Sequence, residues 1–265
     1  MTIFARPGLH ASRYGGQVNG MSGLPARRFV VISAAAVVLA VAAGGTAYAL
    51  SASSSAHVAS LPIAGRSHAA LKITSGTSVL DVSVANLHGS LLRVSTPDGA
   101  PVRPVLSGSA PIVLSLAGGG TTSARSTDYA VTVVLSSSVA WSLDFAAGTQ
   151  RTEADLRGGR VSGIAVTAGS DILDMRLPRP SGTLPFLLAA GVSQFLISLP
   201  GGVPTRVTVG GGASYVSTGN QDLTGVAGGT VLTPPGWATA TSRFDIDATS
   251  GFSRLTVSRW NPAGS

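Results

Sequence analysis

The chain has 265 residues, a formal net charge of +7 and no cysteine. The missing cysteine excludes a disulfide framework, a thiol nucleophile and a lipid attached to cysteine. From residue 51 onward, 14 basic side chains stand against 11 acidic ones, without a basic run, so a nucleic-acid-binding surface is not expected. This part has one Glu and one Lys but many β-branched and turn residues, which favours strands over helices.

The first 50 residues have the pattern of a membrane-targeting segment. Residues 1–28 form a basic tail without acidic residues, and the 22 residues of 29–50 carry no charge. A helix of that length reaches about 33 Å, enough to cross a hydrocarbon core of about 30 Å. Because basic flanks stay in the cytoplasm, the pair Arg27-Arg28 predicts a single-pass cell-membrane protein with its C-terminal domain outside.

The same segment also fits a cleaved secretory signal. Ala47 and Ala49 form an A-x-A cleavage motif, and cleavage before Leu50 would release the protein. The apolar run is longer than a usual signal core, so we expect a retained anchor, whether translation starts at Met1 or Met21. Peptide mass spectrometry of the N-terminus separates the alternatives, because a mature protein beginning at Leu50 has lost its anchor.

Beyond the anchor, the sequence predicts a spacer and then strands. Residues 51–70 are small and polar, so we expect a flexible spacer there. Residues 71–260 show the period-two alternation of half-buried strands, and residues 261–265 form a tail. The first expected strands are Ser78–Leu87, Ser90–Ser95 and Pro111–Leu116, with a turn at Thr96–Gly99.

Two alternating apolar runs lie close together between residues 128 and 145. The first holds Tyr129, Val131, Val133 and Leu135, and the second holds Val139, Trp141, Leu143 and Phe145. Three serines, Ser136–Ser138, separate the runs. We therefore expect a β-hairpin with an aromatic-rich inner face.

The second half of the chain contains an internal repeat. Residues 168–178 (AGSDILDMRLP) match residues 190–200 (AGVSQFLISLP) at an offset of 22, and residues 250–260 repeat the theme. The segments 160–167, 183–188 and 204–209 provide partner strands. Because one such unit cannot bury its own apolar face, neighbouring units are expected to stack. The predicted fold class is all-β, a single β-solenoid-like domain of repetitive short strands preceded by one N-terminal apolar helix.

Residues 156–219, GVAGGTVLTPPGW at 225–237 and SRFDIDATSGFSRLTVSR at 242–259 resemble a group of exported actinobacterial-type proteins of unknown function. These in turn are similar to toastrack-like β domains of candidate adhesins and of membrane proteins in the cell-wall antibiotic response. The resemblance spans about residues 128–260 and, more loosely, 71–127. It implies a toastrack-like fold and an envelope-facing binding or sensing role. It brings no catalytic residues with it.

No residue pattern in the chain indicates catalysis. The last histidine is His88, which argues against a Ser-His-Asp triad or a histidine metal site in the repeats, and no G-x-S-x-G motif occurs. Asp245 and Asp247 share a strand face and could form a weak calcium site with a loop carbonyl, but a solvated polar edge is the favoured interpretation. We therefore predict no catalytic residue, no cofactor and no metal.

Trp237 is the candidate contact aromatic, because it lies in the proline-glycine loop TPPGWATA rather than in a strand. The sequence as a whole predicts an envelope-binding, adhesin-like or stress-sensing module without catalysis. Its expected partners are the membrane, a cell-wall polymer or an envelope protein, and not nucleic acid. Two alternatives remain at this point: a secreted β-helical enzyme acting on polysaccharide, and an accessory subunit of a membrane complex acting through residues 29–50.

Overall fold

The computed structural model describes residues 53–55, 57–118 and 129–261. The predicted membrane segment 29–50, the pair Arg27-Arg28 and the motif of Ala47 and Ala49 lie outside this range and stay predictions. Within the described range, no helix is long and apolar enough to span a bilayer.

The described residues form twenty strands and no helix, which confirms the all-β prediction. The strands are β1 Ser53–Ser55, β2 Val58–Pro62, β3 His68–Ile73, β4 Thr77–Ala85, β5 Ser90–Ser95, β6 Val102–Ser107, β7 Ile112–Gly118, β8 Ala130–Ser136, β9 Ala140–Phe145, β10 Thr149–Asp155, β11 Arg160–Val166, β12 Ser170–Arg176, β13 Thr183–Leu188, β14 Val192–Pro200, β15 Thr205–Val209, β16 Ala213–Ser217, β17 Asp222–Val226, β18 Thr230–Leu232, β19 Arg243–Ala248 and β20 Phe252–Trp260.

Two sheets carry these strands and share one apolar core. The larger, sheet A, has the order β1-β2-β5-β8-β4-β10-β12-β14-β20-β16-β17. The smaller, sheet B, has the order β18-β15-β19-β13-β11-β9-β3-β7-β6. The central pairings in both sheets are parallel, whereas the outer strands β1, β2, β5, β6, β17 and β18 pair antiparallel. The antiparallel strands therefore flank a parallel stack on both sides.

The repeating unit of the stack is a rung, which we define as one strand of sheet B, a short turn and the following strand of sheet A. Six rungs of this kind occur in the described residues: β3–β4, β9–β10, β11–β12, β13–β14, β15–β16 and β19–β20. Each rung places its apolar side chains between the sheets, where Phe186, Phe195 and Phe244 are fully buried. The rings of Phe186 and Phe195 lie 5.1 Å apart, within the range of favourable aromatic pairs.

The predicted repeat at an offset of 22 is confirmed by the strand register. Leu173 of β12 pairs with Phe195 of β14, and Met175 pairs with Ile197. The third copy joins the same rows, since Phe195 also pairs with Leu255 of β20. Equivalent positions of the three repeat copies therefore lie side by side on adjacent strands.

Chain order and spatial order differ at the C-terminal end of the stack. After β14 the chain forms the rung β15–β16 and the two flanking strands β17 and β18. It then returns as β19–β20, which lies between β13–β14 on one side and β15–β16 on the other. The last rung of the chain is therefore inserted into the stack and is not its end.

The hairpin expected at residues 128–145 is wrong. Strand β8 belongs to sheet A, where it pairs with β4 and β5, and β9 belongs to sheet B, where it pairs with β3 and β11. The serine turn carries the chain from one sheet to the other, and the indole N–H of Trp141 donates to the carbonyl oxygen of Ser136 at 3.0 Å. Alternating apolar residues face the same core in both arrangements, so the pattern cannot distinguish them.

Strands β1 and β2 and the first three residues of β3 lie in the segment 51–70, for which the sequence predicted a polar spacer. Val58–Pro62 pairs with β5, and His68–Ile73 pairs with β9. Ala59 and Leu61 are buried in the β domain. The polar composition did not reveal these strands, because a short strand inside a sheet can carry polar residues on its outer side.

Glycines close the turn between the two strands of a rung. Gly76, Gly148, Gly169, Gly191 and Gly251 end successive turns, and their backbones stack on one another. The amide of Thr149 donates to the carbonyl oxygen of Gly169 at 3.1 Å, and Thr77 donates in the same way to Gly148 at 3.3 Å. A Cβ at Gly76 would lie 2.9 Å from the carbonyl oxygen of Gly148, whereas one at Gly148 would lie 3.7 Å from that of Gly169.

This difference gives a matched pair of substitutions. Gly76→Ala should lower the free energy of unfolding by about 1–3 kcal/mol, because the neighbouring backbone must shift. Gly148→Ala should leave it within about 1 kcal/mol of the parent, because the contact is ordinary and the unfolded chain loses freedom. Urea denaturation of both variants measures the difference, and equal stabilities would contradict the stacking of these turns.

Candidate functional site

A shallow groove runs along the edge formed by the stacked glycine turns. We call it the turn-edge groove; it is open to solvent and has a volume of about 900 Å³. It crosses six strands of sheet A, from β4 through β10, β12, β14 and β20 to β16. At about 4.8 Å between neighbouring strands, five intervals give a length of about 24 Å. The groove is therefore long and shallow rather than enclosed.

The floor of the groove is backbone, because glycines occupy the ends of the turns. Gly148, Gly169, Gly191 and Gly251 line it and are exposed. Their carbonyl groups lie against the adjacent rungs, and those of Gly169 and Gly191 accept amide protons there. Their own N–H groups donate to no oxygen within the described residues. Exposed glycine backbone therefore recurs along the groove at the spacing of the rungs.

The wall of the groove consists of polar side chains, one from each of five rungs. These are the second residues of the sheet-A strands, namely Gln150, Asp171, Ser193, Ser253 and Ser214, and all five are exposed. The ladder register skips each of them, so it passes from Ser170 directly to Ile172 and from Val192 to Gln194. Two successive residues therefore lie outside the core at the start of each strand, which gives every rung an extra outward side chain.

Hydroxyl groups at the first strand position support this wall from inside. Thr149 Oγ1 donates to Ser170 Oγ at 2.9 Å, and Ser170 Oγ donates to the carbonyl oxygen of Ile172 at 2.9 Å. Thr149 Oγ1 also lies 2.8 Å from Thr152 Oγ1. Because these polar groups are satisfied within the fold, they hold the wall rigid and leave the outer side chains for a ligand.

The electrostatic character of the groove is close to neutral. Asp171 is the one ionisable side chain among its lining residues. Arg151 and Arg254 lie at the next outward position on their strands, but Arg151 is paired with Glu153 and Arg254 lies over the ring of Tyr215 at 4.6 Å. The groove therefore offers hydrogen bonds without a strong field of either sign.

Trp237 lies in a second polar cluster, on sheet B at β15 and β19. Its indole N–H donates to the carbonyl oxygen of Phe244 at 2.8 Å, and the guanidinium groups of Arg206 and Arg243 lie 3.9 and 4.5 Å from its ring centroid. Arg243 also donates to the carbonyl oxygens of Trp237 and Ala238 at 3.1 and 2.7 Å. These contacts tie the loop before β19 to the inserted rung. The role of Trp237 as a contact residue stays a prediction.

Asp245 and Asp247 do not form a matched pair of free carboxylates. Arg206 binds both oxygens of Asp245, with Nε–Oδ1 and Nη2–Oδ2 distances of 2.9 and 2.5 Å. Burial, and next the charge of Asp245, raise the pKa of Asp247. Among the described residues, no group of three His, Cys, Asp or Glu side chains is arranged to hold a metal ion.

The sequence reasoning missed the turn-edge groove and concentrated on isolated residues. The signal was present in the repeat itself, because Ala-Gly is followed by Ser or Val at 168–170 and 190–192 and then by a polar residue. The glycines alone predict turns, which is enough to identify the strands. They do not show that stacking aligns the following polar side chains into one row.

Comparison with known proteins places the fold but no family. No family model matches the chain, and no curated protein matches it. The chain is similar to a solved structure of a candidate cell adhesion protein from Clostridium sporogenes ATCC 15579. The TM-score is 0.55 at 13% sequence identity, and the alignment covers 77% of this chain and 98% of the other. At that identity the likeness shows a shared all-β fold.

The two aspartates of β19 provide a test with opposite signs. Asp245→Asn should lower the free energy of unfolding by about 0.5–1.5 kcal/mol, because the Arg206 guanidinium loses its charged partner. Asp247→Asn should raise it by a few tenths of a kcal/mol at pH 7.

The raised pKa of Asp247 explains why the two substitutions change stability in opposite directions. A raised pKa in the folded state means that protonation of Asp247 favours folding, so its contribution is lost as the pH rises through that pKa. Its ionised form therefore destabilises the fold at neutral pH, and asparagine removes that charge. Thermal unfolding at pH 7 and at low pH measures both variants; destabilisation by Asp247→Asn at pH 7 would contradict the assignment.

Proposed function

We propose that the protein is a non-catalytic, adhesin-like binding module of the cell envelope, held outside the membrane by residues 29–50. The turn-edge groove is its binding surface. The observation that carries the proposal is the continuity of this groove, which crosses six strands and is lined by glycine backbone and polar side chains. Such a surface suits an extended ligand that repeats along its length.

The shape of the groove supports binding rather than turnover. Sites for small molecules and reactions are concave and bury most of the ligand, whereas this groove is open along its length. Its one carboxylate, Asp171, has no second carboxylate among the lining residues, and glycoside hydrolysis ordinarily needs two across the scissile bond. The fold likeness to a candidate cell adhesion protein agrees with a binding role.

The membrane location is part of the proposal and is supported by the sequence. A basic tail followed by the apolar segment 29–50 is the pattern of a tethered protein whose C-terminal part lies outside the membrane. The partner is a component of the envelope, either a wall polymer or a surface protein. Held at the membrane, a weak binding surface gains effective concentration against an immobile partner.

Blocking the groove should weaken envelope binding. We expect the full-length variant Ser193→Ile/Ser253→Ile, in nanodiscs, to bind isolated envelope material at least about tenfold more weakly than the parent, a loss of about 1.4 kcal/mol. Both serines are exposed on the neighbouring strands β14 and β20. Isoleucine suits a strand and fills the groove without adding an aromatic ring.

The matched control is Ser142→Ile, an exposed serine on β9 of sheet B and outside the groove. It should bind like the parent, and all three proteins should unfold at similar temperatures. Binding that is unchanged in the double variant, or lost equally in the control, would contradict the groove as the binding surface.

A further inference from the structure

We infer that the ligand of the turn-edge groove is a linear, uncharged polysaccharide lying across the rungs. This inference rests on the proposed function and adds the chemical class of the ligand. Three properties of the groove lead to it: the hydrogen-bonding groups that it presents, the small charge that it carries, and the spacing at which its groups repeat.

The hydrogen-bonding groups match a polyhydroxylated chain. The N–H groups of Gly148, Gly169, Gly191 and Gly251 are donors without an acceptor in the described residues. The wall adds hydroxyl groups that donate and accept, and Gln150 adds a carboxamide that does both. A sugar hydroxyl also donates and accepts, so each ring can use a floor amide and a wall side chain together.

The charge of the groove disfavours the other common linear polymers. Nucleic acids and phosphate-linked wall polymers need basic side chains to neutralise them, and the lining residues include no Lys or Arg. A basic polymer would need several acidic groups, and the lining offers Asp171 alone. Lipid chains would need an apolar floor, which exposed glycine backbone does not provide.

An extended peptide fits less well than a sugar chain for a geometric reason. Peptides that add to a sheet pair with a free strand edge, but the floor glycines here belong to turns whose carbonyls already face the neighbouring rung. Alternate peptide side chains would also need pockets, and successive wall residues such as Asp171 and Ser193 are exposed and form a continuous row.

The repeat distance supports a sugar chain. The floor and wall groups recur once per rung, at about 4.8 Å, and one residue of an extended β-linked sugar chain has a comparable length. A chain of about five residues therefore spans the groove at one residue per strand interval. Groups that recur once in each rung can then contact each successive residue along the polymer.

The test is the length dependence of binding by uncharged oligosaccharides. N-acetylated chito-oligosaccharides and β-linked glucose oligomers of two to eight residues are titrated against the full-length protein in nanodiscs by NMR or calorimetry. We expect affinity to rise with length to about five residues and then to level off. Ser193→Ile/Ser253→Ile should weaken binding at least tenfold, and Ser142→Ile should not change it.

Charge is tested by salt. A higher salt concentration should change the affinity less than about threefold, because an uncharged ligand gains no ion pair. A larger change would overturn the uncharged class and indicate a cationic or anionic ligand. Affinity that is independent of oligomer length would overturn the arrangement across the rungs.

The two proposals fail in different ways. If neither series of oligosaccharides binds while envelope material still binds through the groove, the polysaccharide assignment is wrong and the binding function stands. If envelope binding does not depend on the groove, the proposed function itself is wrong, whatever the oligosaccharides do.

Discussion

The structure depends on one constraint: a single rung cannot bury its own apolar face. Two short strands joined by a tight turn expose half of their side chains, so stability comes from neighbours stacked on both sides. Rows such as Leu173, Phe195 and Leu255 show how this is achieved, because equivalent residues of successive rungs are buried against each other. The inserted rung β19–β20 belongs to these rows, so the C-terminal residues complete the core.

The same constraint produces the surface that we propose as functional. Stacking requires the turns to approach closely, glycine permits that approach, and the glycine backbone then becomes the floor of a groove. The ladder register leaves one extra outward residue per rung, and stacking brings these residues into a row. The stacking of the rungs therefore produces both the fold and the candidate site. A catalytic site, by contrast, is usually assembled from separate loops.

The sequence predicted the repeating unit well because it is a local pattern. The offset of 22 identified β12 and β14, and their residues pair as expected. The order of the rungs could not be predicted, because β15–β16 and β19–β20 satisfy the same alternation and either could follow β14. The sequence also did not predict the turn at Ser136–Ser138 between the two sheets, or the groove. Both depend on which strands become neighbours, and apolar alternation carries no information about that.

The order of the rungs can be measured directly, because the chain has no cysteine of its own. Ser198 of β14 and Ser258 of β20 have their hydroxyl oxygens 2.6 Å apart, so Ser198→Cys/Ser258→Cys should form a disulfide under mild oxidation. Leu196→Cys/Ser217→Cys joins β14 to β16, which the inserted rung separates by two strand intervals, about 9.6 Å, and should not form one. Cross-linking of the second pair and not the first would show that the rungs follow chain order and would contradict this account.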